Sequence, residues 1–179
     1  MLTIELPAQA NQIAFNEKRW AELVSDPMLE DFQGTIETDR HGIILMSPPP
    51  AARHSRFQSR IHFLLQTLLP QGEAGTECPI STADGVRAGD VVWFSKGILS
   101  QLGNRVCFPK APEICVEVLS PDNSERAMKE KSALYFDAGA KEVWLCDKFG
   151  RMTFLENVND KPMPSSKLCP LFPTEIKLD

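Results

Sequence analysis

Three charged side chains occupy places in this 179-residue chain where charge is costly: Glu117, Asp90 and Lys131. Glu117 lies in Ala111-Pro-Glu-Ile-Cys-Val-Glu-Val-Leu-Ser-Pro121, a short, almost wholly apolar run with proline near each end. Proline removes a ladder donor and belongs at strand ends. The run therefore reads as a strand entered at Pro112 and left at Pro121. Side chains alternate along a strand, so Ile114, Val116 and Val118 share one face, and Glu113, Cys115, Glu117 and Leu119 the other. A lone ionised carboxylate between two valines is expensive to bury, and its pKa rises until it neutralises. A bound cation removes that cost; so does pairing with a lysine or arginine on a half-exposed face. Asp90 repeats the oddity in a strand from about Val86 to Ser95, on the face of Val92 and Phe94 and opposite Val91 and Trp93. Two such acids on neighbouring strands strengthen the reading of a divalent-cation site.

Lys131 falls on the regular stripe of a helix that begins at Asp122-Asn-Ser-Glu125 and stops at Gly139. That stripe is Ala127, Lys131, Leu134, Tyr135 and Ala138, while Lys129 and Glu130 point to solvent. An inward lysine needs a carboxylate or phosphate partner, or its stem packs while the ammonium reaches the edge. In residues 53–69 the apolar positions Phe57, Ile61, Leu64, Leu65 and Leu68 follow the helical period. His54 and Gln58 sit one turn apart on its flank, lining a site or bonding to nearby backbone.

These residues need a frame. The spacing predicts a helix from Asn16 to Ser25, with Asn16 as cap and Trp20, Leu23 and Val24 inward. Residues 1–14 are a weakly patterned lead-in. A hairpin follows across Arg40-His41, with Thr35, Glu37 and Asp39 on one face, stopped by Pro48 to Pro50. After the residue 53–69 helix come strands at about Glu77 to Thr82 and Val86 to Ser95, joined by Ala83-Asp84-Gly85, then a loop from Lys96 to Lys110 and the Glu117 strand. Past the second long helix, Glu142 to Asp147 pairs with Arg151 to Glu156 across Lys148-Phe149-Gly150. The proline-containing tail, 156–179, is expected to wrap the surface and end in an extended piece from Glu175 to Leu178. The class is α+β, in one domain.

Composition narrows the partners. Net charge is −5, with 24 acidic and 19 basic side chains, which argues against a broad basic surface and leaves room for a local basic groove. Arg53, Arg56, Arg60, Lys96 and Lys110 are available for one. Five scattered cysteines without a CxxC pair suggest neither a disulfide framework nor a zinc site. No basic-then-apolar leader and no membrane-length apolar run is present, so a soluble, cytoplasmic protein is expected.

Met46-Ser-Pro with His54, Arg87-Ala-Gly-Asp-Val91, the Glu117 strand, Glu130-Lys131 with Tyr135 and Gly139, and Glu142-Val-Trp-Leu-Cys-Asp147 occur in one order over roughly residues 30 to 155. Together they resemble the Uma2 family of putative restriction endonucleases, assigned to the PD-(D/E)XK nuclease superfamily. The resemblance implies a restriction-endonuclease-like core: a mixed sheet flanked by helices, in the order helix, three strands, helix, strand. It implies Asp90, Glu117 and Lys131 as the catalytic set, Asp90 and Glu117 holding Mg²⁺ or Mn²⁺, and DNA as substrate, with a homodimer expected. Glu37 and His54 match family positions without an assigned role; Gln58 and Tyr135 are further accessory candidates. Three departures stand out. Leu119 occupies the superfamily's usual lysine position two residues after the glutamate, so the basic group must come from elsewhere; Lys131, inward on the adjoining helix where the family pattern places a lysine, is the candidate. Gly89 stands for the proline before the aspartate, and Ala127 for an acid one turn before Lys131. The competing expectations are a nuclease-fold protein that binds nucleic acid or oligomerises without cutting, and a small-molecule hydrolase using the two carboxylates as acid and base.

Overall fold

The structure is a computed structural model and describes residues 9–120 and 123–178. Pro121 and Asp122, expected to end a strand and open a helix, lie outside the described residues, as do positions 1–8 of the lead-in. The elements are α1 (Gln9–Val24), β1 (Thr35–Thr38), β2 (Ile44–Ser47), α2 (Ala52–Leu68), β3 (Gly72–Thr82), β4 (Gly85–Ser95), α3 (Lys96–Leu102), β5 (Ile114–Val118), α4 (Glu125–Asp137), β6 (Glu142–Cys146) and β7 (Met152–Leu155). The fold is α+β. β3 to β7 form a mixed sheet in sequence order, with β5 and β6 parallel and every other pair antiparallel; β1 and β2 are a separate hairpin.

Both faces of the sheet are covered. Val91, Trp93, Ile114, Val116, Val118, Trp144 and Phe154 pack with Phe57, Ile61 and Leu65 of α2. On the other face Ile80, Val92, Phe94, Cys115 and Val143 pack with Tyr135 of α4. The alternation read for β4 and β5 therefore sorts their apolar side chains onto the faces where they lie. A parallel β5–β6 pair requires a crossover, and α4 is that crossover. The position of Lys131 over the sheet follows from this connection.

Four expectations are corrected. Helix α1 starts at Gln9, not Asn16. Asn16 is an interior anchor rather than a cap: its amide donates to Ser81 Oγ and the Thr82 and Gly85 carbonyls at 2.9, 2.9 and 3.2 Å. Trp20 and Leu23 are buried, but Val24, at the helix end, is exposed. Strand β3 begins five residues early, at Gly72, because the polar stretch before Glu77 pairs with the apolar end of β4. The expected loop after β4 holds α3, capped by Ser95, whose hydroxyl accepts the Ile98 N–H. The tail does more than cross the surface: Cys169, Phe172 and Ile176 are buried in the α2-side core. Its last stretch makes one isolated bridge, Arg151 to Glu175. A buried carboxylate fixes this tail. Glu142 Oε1 accepts the Lys167 and Leu168 N–H groups, each at 2.8 Å, and Oε2 accepts the Trp144 indole N–H at 2.7 Å.

Among the described residues no helix is long and apolar enough to cross a membrane.

Candidate active site

The site forms where β4 stops pairing with β5 and skips one pair with β3. On one side the β4–β5 ladder ends at Val91 and Val116, so the next opposed pair, Asp90 and Glu117, stands at the point of parting. The Asp90 carboxylate turns into that gap and accepts the Val118 N–H at 2.7 Å. It thus takes over a main-chain donor that the separating strands leave behind. Its other oxygen lies 3.4 Å from His54 Nε2 on α2.

Glu117 points to the α4 face and is 6% exposed. Tyr135 donates its O–H to Glu117 Oε1 at 2.7 Å, and Lys131 Nζ donates to Oε2 at 2.9 Å. Tyr135 and Lys131 are four residues apart on α4, one turn, so both reach the same carboxylate. Helix α4 is held at its start by Ser124, whose side chain accepts the Ala127 N–H. Ala127 itself is exposed, so the packed side of α4 begins only at the half-buried Met128 and Lys131. Lys131 Nζ also meets Glu37 Oε1 at 2.9 Å and the Ala88 carbonyl at 3.0 Å. Glu37 is aimed at Lys131 by the hairpin: its Oε1 accepts the Ala88 N–H at 2.9 Å. All three ammonium hydrogens thus have acceptors, and no acid one turn before Lys131 is needed to hold it.

Electrostatics follow from burial. Burial pushes the Glu117 carboxyl up to about 8; Asp90 and Glu37 push it the same way, while Lys131 and the Tyr135 O–H pull against it. Burial pulls the Lys131 ammonium down, yet the Glu117 and Glu37 charges outweigh this, and its pKa is raised. The His54 imidazole is raised chiefly by its bond to Asp90. Burial pushes the thiols of Cys78, Cys107 and Cys146 up to about 12, so they are not activated nucleophiles.

The seven residues marked by the sequence fall into two bonded groups: Asp90 with His54 and Gln58, whose amide donates to the Asp90 carbonyl at 2.7 Å, and Glu117 with Lys131, Tyr135 and Glu37; the groups adjoin at β5, where Asp90 accepts the N–H of Val118, next to Glu117. The basic residues do not all gather there. Arg53, Arg56 and Arg60 are exposed along α2, whereas Lys96 opens α3 and Lys110 lies in the loop before β5. Two neighbours of the site were not marked as site residues from the sequence, although Arg87 lies in the Arg87-Ala-Gly-Asp-Val91 segment. Arg87 lies 3.8 Å from Glu37 and donates to the Thr38 carbonyl at 2.9 Å, bracing the hairpin. Glu77 on β3 accepts from Gln58 at 2.7 Å and from Thr35 at 3.2 Å. It has φ +51, a left-handed conformation costing a non-glycine residue about 1–2 kcal/mol. An acid at a strand edge is common in sequence, and its backbone angle is not readable there.

The donors suit Mg²⁺ or Mn²⁺. Asp90 and Glu117 supply hard oxygens, and Mg²⁺ is commonly held by one or two carboxylates with waters. A cation beside Glu117 would also relieve the desolvation that raises its pKa. Among the described residues no group of three or more His, Cys, Asp or Glu is spaced to hold a metal ion.

Known proteins resemble the chain in sequence family and in fold. The sequence model of the Uma2 family, described as "Putative restriction endonuclease", matches residues 23–160. Among solved structures, the chain resembles a putative nuclease belonging to DUF820 from Anabaena variabilis ATCC 29413. The two share 20% identity with a TM-score of 0.65, covering 80% of this chain and 82% of that one. That likeness is one of fold. No curated protein matches the chain.

Proposed function

Because the chain belongs to the Uma2 family, we propose that it is a DNA endonuclease that hydrolyses phosphodiester bonds with a divalent cation held by Asp90 and Glu117. The observation that carries the reading is the opposition of these two acids where β4 and β5 part, with Lys131 bonded to one of them. Such an ion, when bound, lowers the pKa of a water and withdraws charge from the phosphoryl oxygens. The chain's own residues do the rest. Tyr135 fixes the Glu117 carboxylate through one oxygen and leaves that oxygen a second lone pair. Val118 N–H fixes Asp90. Lys131 carries a full positive charge at neutral pH. It can swing an N–H from Glu37 to a scissile phosphate, stabilising the charge that develops there. His54, held by Asp90, stands ready to move a proton at its ring nitrogen. The exposed arginine stripe of α2 would meet backbone phosphates, and a homodimer would bring two such sites to the two strands of a duplex.

A supercoiled-plasmid nicking assay tests this. Wild type is expected to nick with Mg²⁺ or Mn²⁺ and not with EDTA, and Glu117→Gln and Lys131→Ala to lose about 100-fold or more. Metal-independent cutting, or full activity in both variants, would reject it. Two observations favour a second reading, a nuclease fold that binds nucleic acid or a second copy without cutting. Lys131 has every hydrogen committed, and Leu119 stands where the superfamily's lysine usually lies. Retarded DNA without nicking at any divalent concentration would select that alternative.

A further inference from the structure

Three acids share one row across the sheet. The registers on either side set Glu77 of β3 opposite Asp90 of β4, and Asp90 opposite Glu117 of β5. The β3–β4 ladder runs from Gly72–Ser95 to Thr76–Val91, omits Glu77–Asp90, and resumes at Cys78–Gly89. Glu77 is also the one non-glycine among the described residues with positive φ. Glycine adopts that conformation without a steric penalty, so a glutamate there implies a use for its side chain. Packing is not that use, because Glu77 is exposed.

Its hydrogen bonds point to the use. Glu77 Oε1 accepts from Gln58 Nε2 at 2.7 Å, and Oε2 accepts from Thr35 Oγ1 at 3.2 Å. The same Gln58 nitrogen donates to the Asp90 carbonyl at 2.7 Å. Both partners of the amide nitrogen are acceptors, so only its NH₂ side can face them. The kink in β3 thus joins α2, the hairpin and β4 at the Asp90 backbone. We propose that Glu77 is a positioning residue: it holds Gln58 so that the Asp90 main chain, and the carboxylate it carries, stays fixed opposite Glu117. This rests on the reading of Asp90 and Glu117 as the cation-holding pair.

Mn²⁺ binding, followed by loss of the free-ion EPR signal, and metal-dependent nicking would be measured on wild type, Glu77→Gly, Glu77→Gln and Gln58→Met. Removing an outer partner of a metal ligand lowers metal affinity by about 10- to 100-fold. Glu77→Gly and Gln58→Met are expected to show that loss. The thermal midpoint of Glu77→Gly should hold or rise, since glycine suits φ +51. Glu77→Gln retains an acceptor for Gln58 and should stay within about threefold of wild type, since a neutral acceptor bond is only modestly weaker than a charged one. A purely structural Glu77 would instead give a glycine variant with wild-type Mn²⁺ affinity and nicking, which overturns the proposal. Should the glycine variant melt lower, Gln58→Met decides by the same criterion. Wild type without Mn²⁺ affinity would remove the nuclease reading and this proposal together; variants equal to an active wild type would remove this proposal alone.

Discussion

Lys131 on α4 and Glu117 on β5 meet at 2.9 Å across 14 residues of chain. The amine reaches the carboxylate from the crossover helix, which is how the site has a basic group although Leu119 follows Glu117 on the strand. Removing the amine leaves Glu117 and Glu37 near each other with no cation between them. Lys131→Met is therefore expected to cost about 3 kcal/mol in urea unfolding, and the double variant Lys131→Met/Glu117→Gln to recover most of it. Two independent, additive losses would show that the pair is not coupled.

Stability should depend on pH with a definite sign. Glu117 is raised to about 8 in the folded chain from an ordinary 4.5. Between those values the native state binds more protons than the unfolded state, so stability falls as pH rises. His54, also raised, contributes stability below its ordinary 6.5 that is lost as pH passes its folded value, in the same direction. Without divalent ions, unfolding free energy should decline from about pH 5 to 8, with a slope of up to about 1.4 kcal/mol per unit from Glu117. Glu117→Gln should flatten most of that slope in urea melts. Rising stability over this range would contradict the assignment.

Glu142 should prove more important to the tail than any apolar contact within it. Three N–H groups converge on its buried carboxylate. Glu142→Ala leaves them without an acceptor, at a cost of about 3 kcal/mol. Limited proteolysis should then cut the segment around Lys167 faster than in wild type. An unchanged digestion pattern would argue that Phe172 and Ile176 hold the tail unaided.

Asn16→Ala should cost about 2 kcal/mol, because it strips the amide from two buried carbonyls and the Ser81 hydroxyl. Ser124→Ala, which removes the α4 cap, should cost about 1 kcal/mol. Chemical denaturation distinguishes the two, and a neutral Asn16→Ala would return that residue to an ordinary helix position.

What the sequence revealed follows physical range. Alternation and helical period are local, so they placed Glu117 on the face opposite its flanking valines, Lys131 inward on α4, and His54 and Gln58 on the flank of α2. What escaped depends on partners distant in the chain. The polar first half of α1 is helical because Asn16 finds Ser81 and Gly85, about seventy residues on. The first turns of β3 are strand because β4 offers an apolar partner. Glu77 escaped because a backbone angle has no signature in residue type, and the tail because its few apolar residues have no period to read.

The β5–β6 pairing has a mechanical consequence. A parallel neighbour obliges the chain to return over the sheet, so the ammonium rides on a segment whose span is set by topology. Deleting one residue between Ser124 and Lys131 would rotate that side chain by about 100° around the helix axis. The strands would keep their order while the proton-bearing nitrogen faced the solvent, and the scaffold would outlive its chemistry.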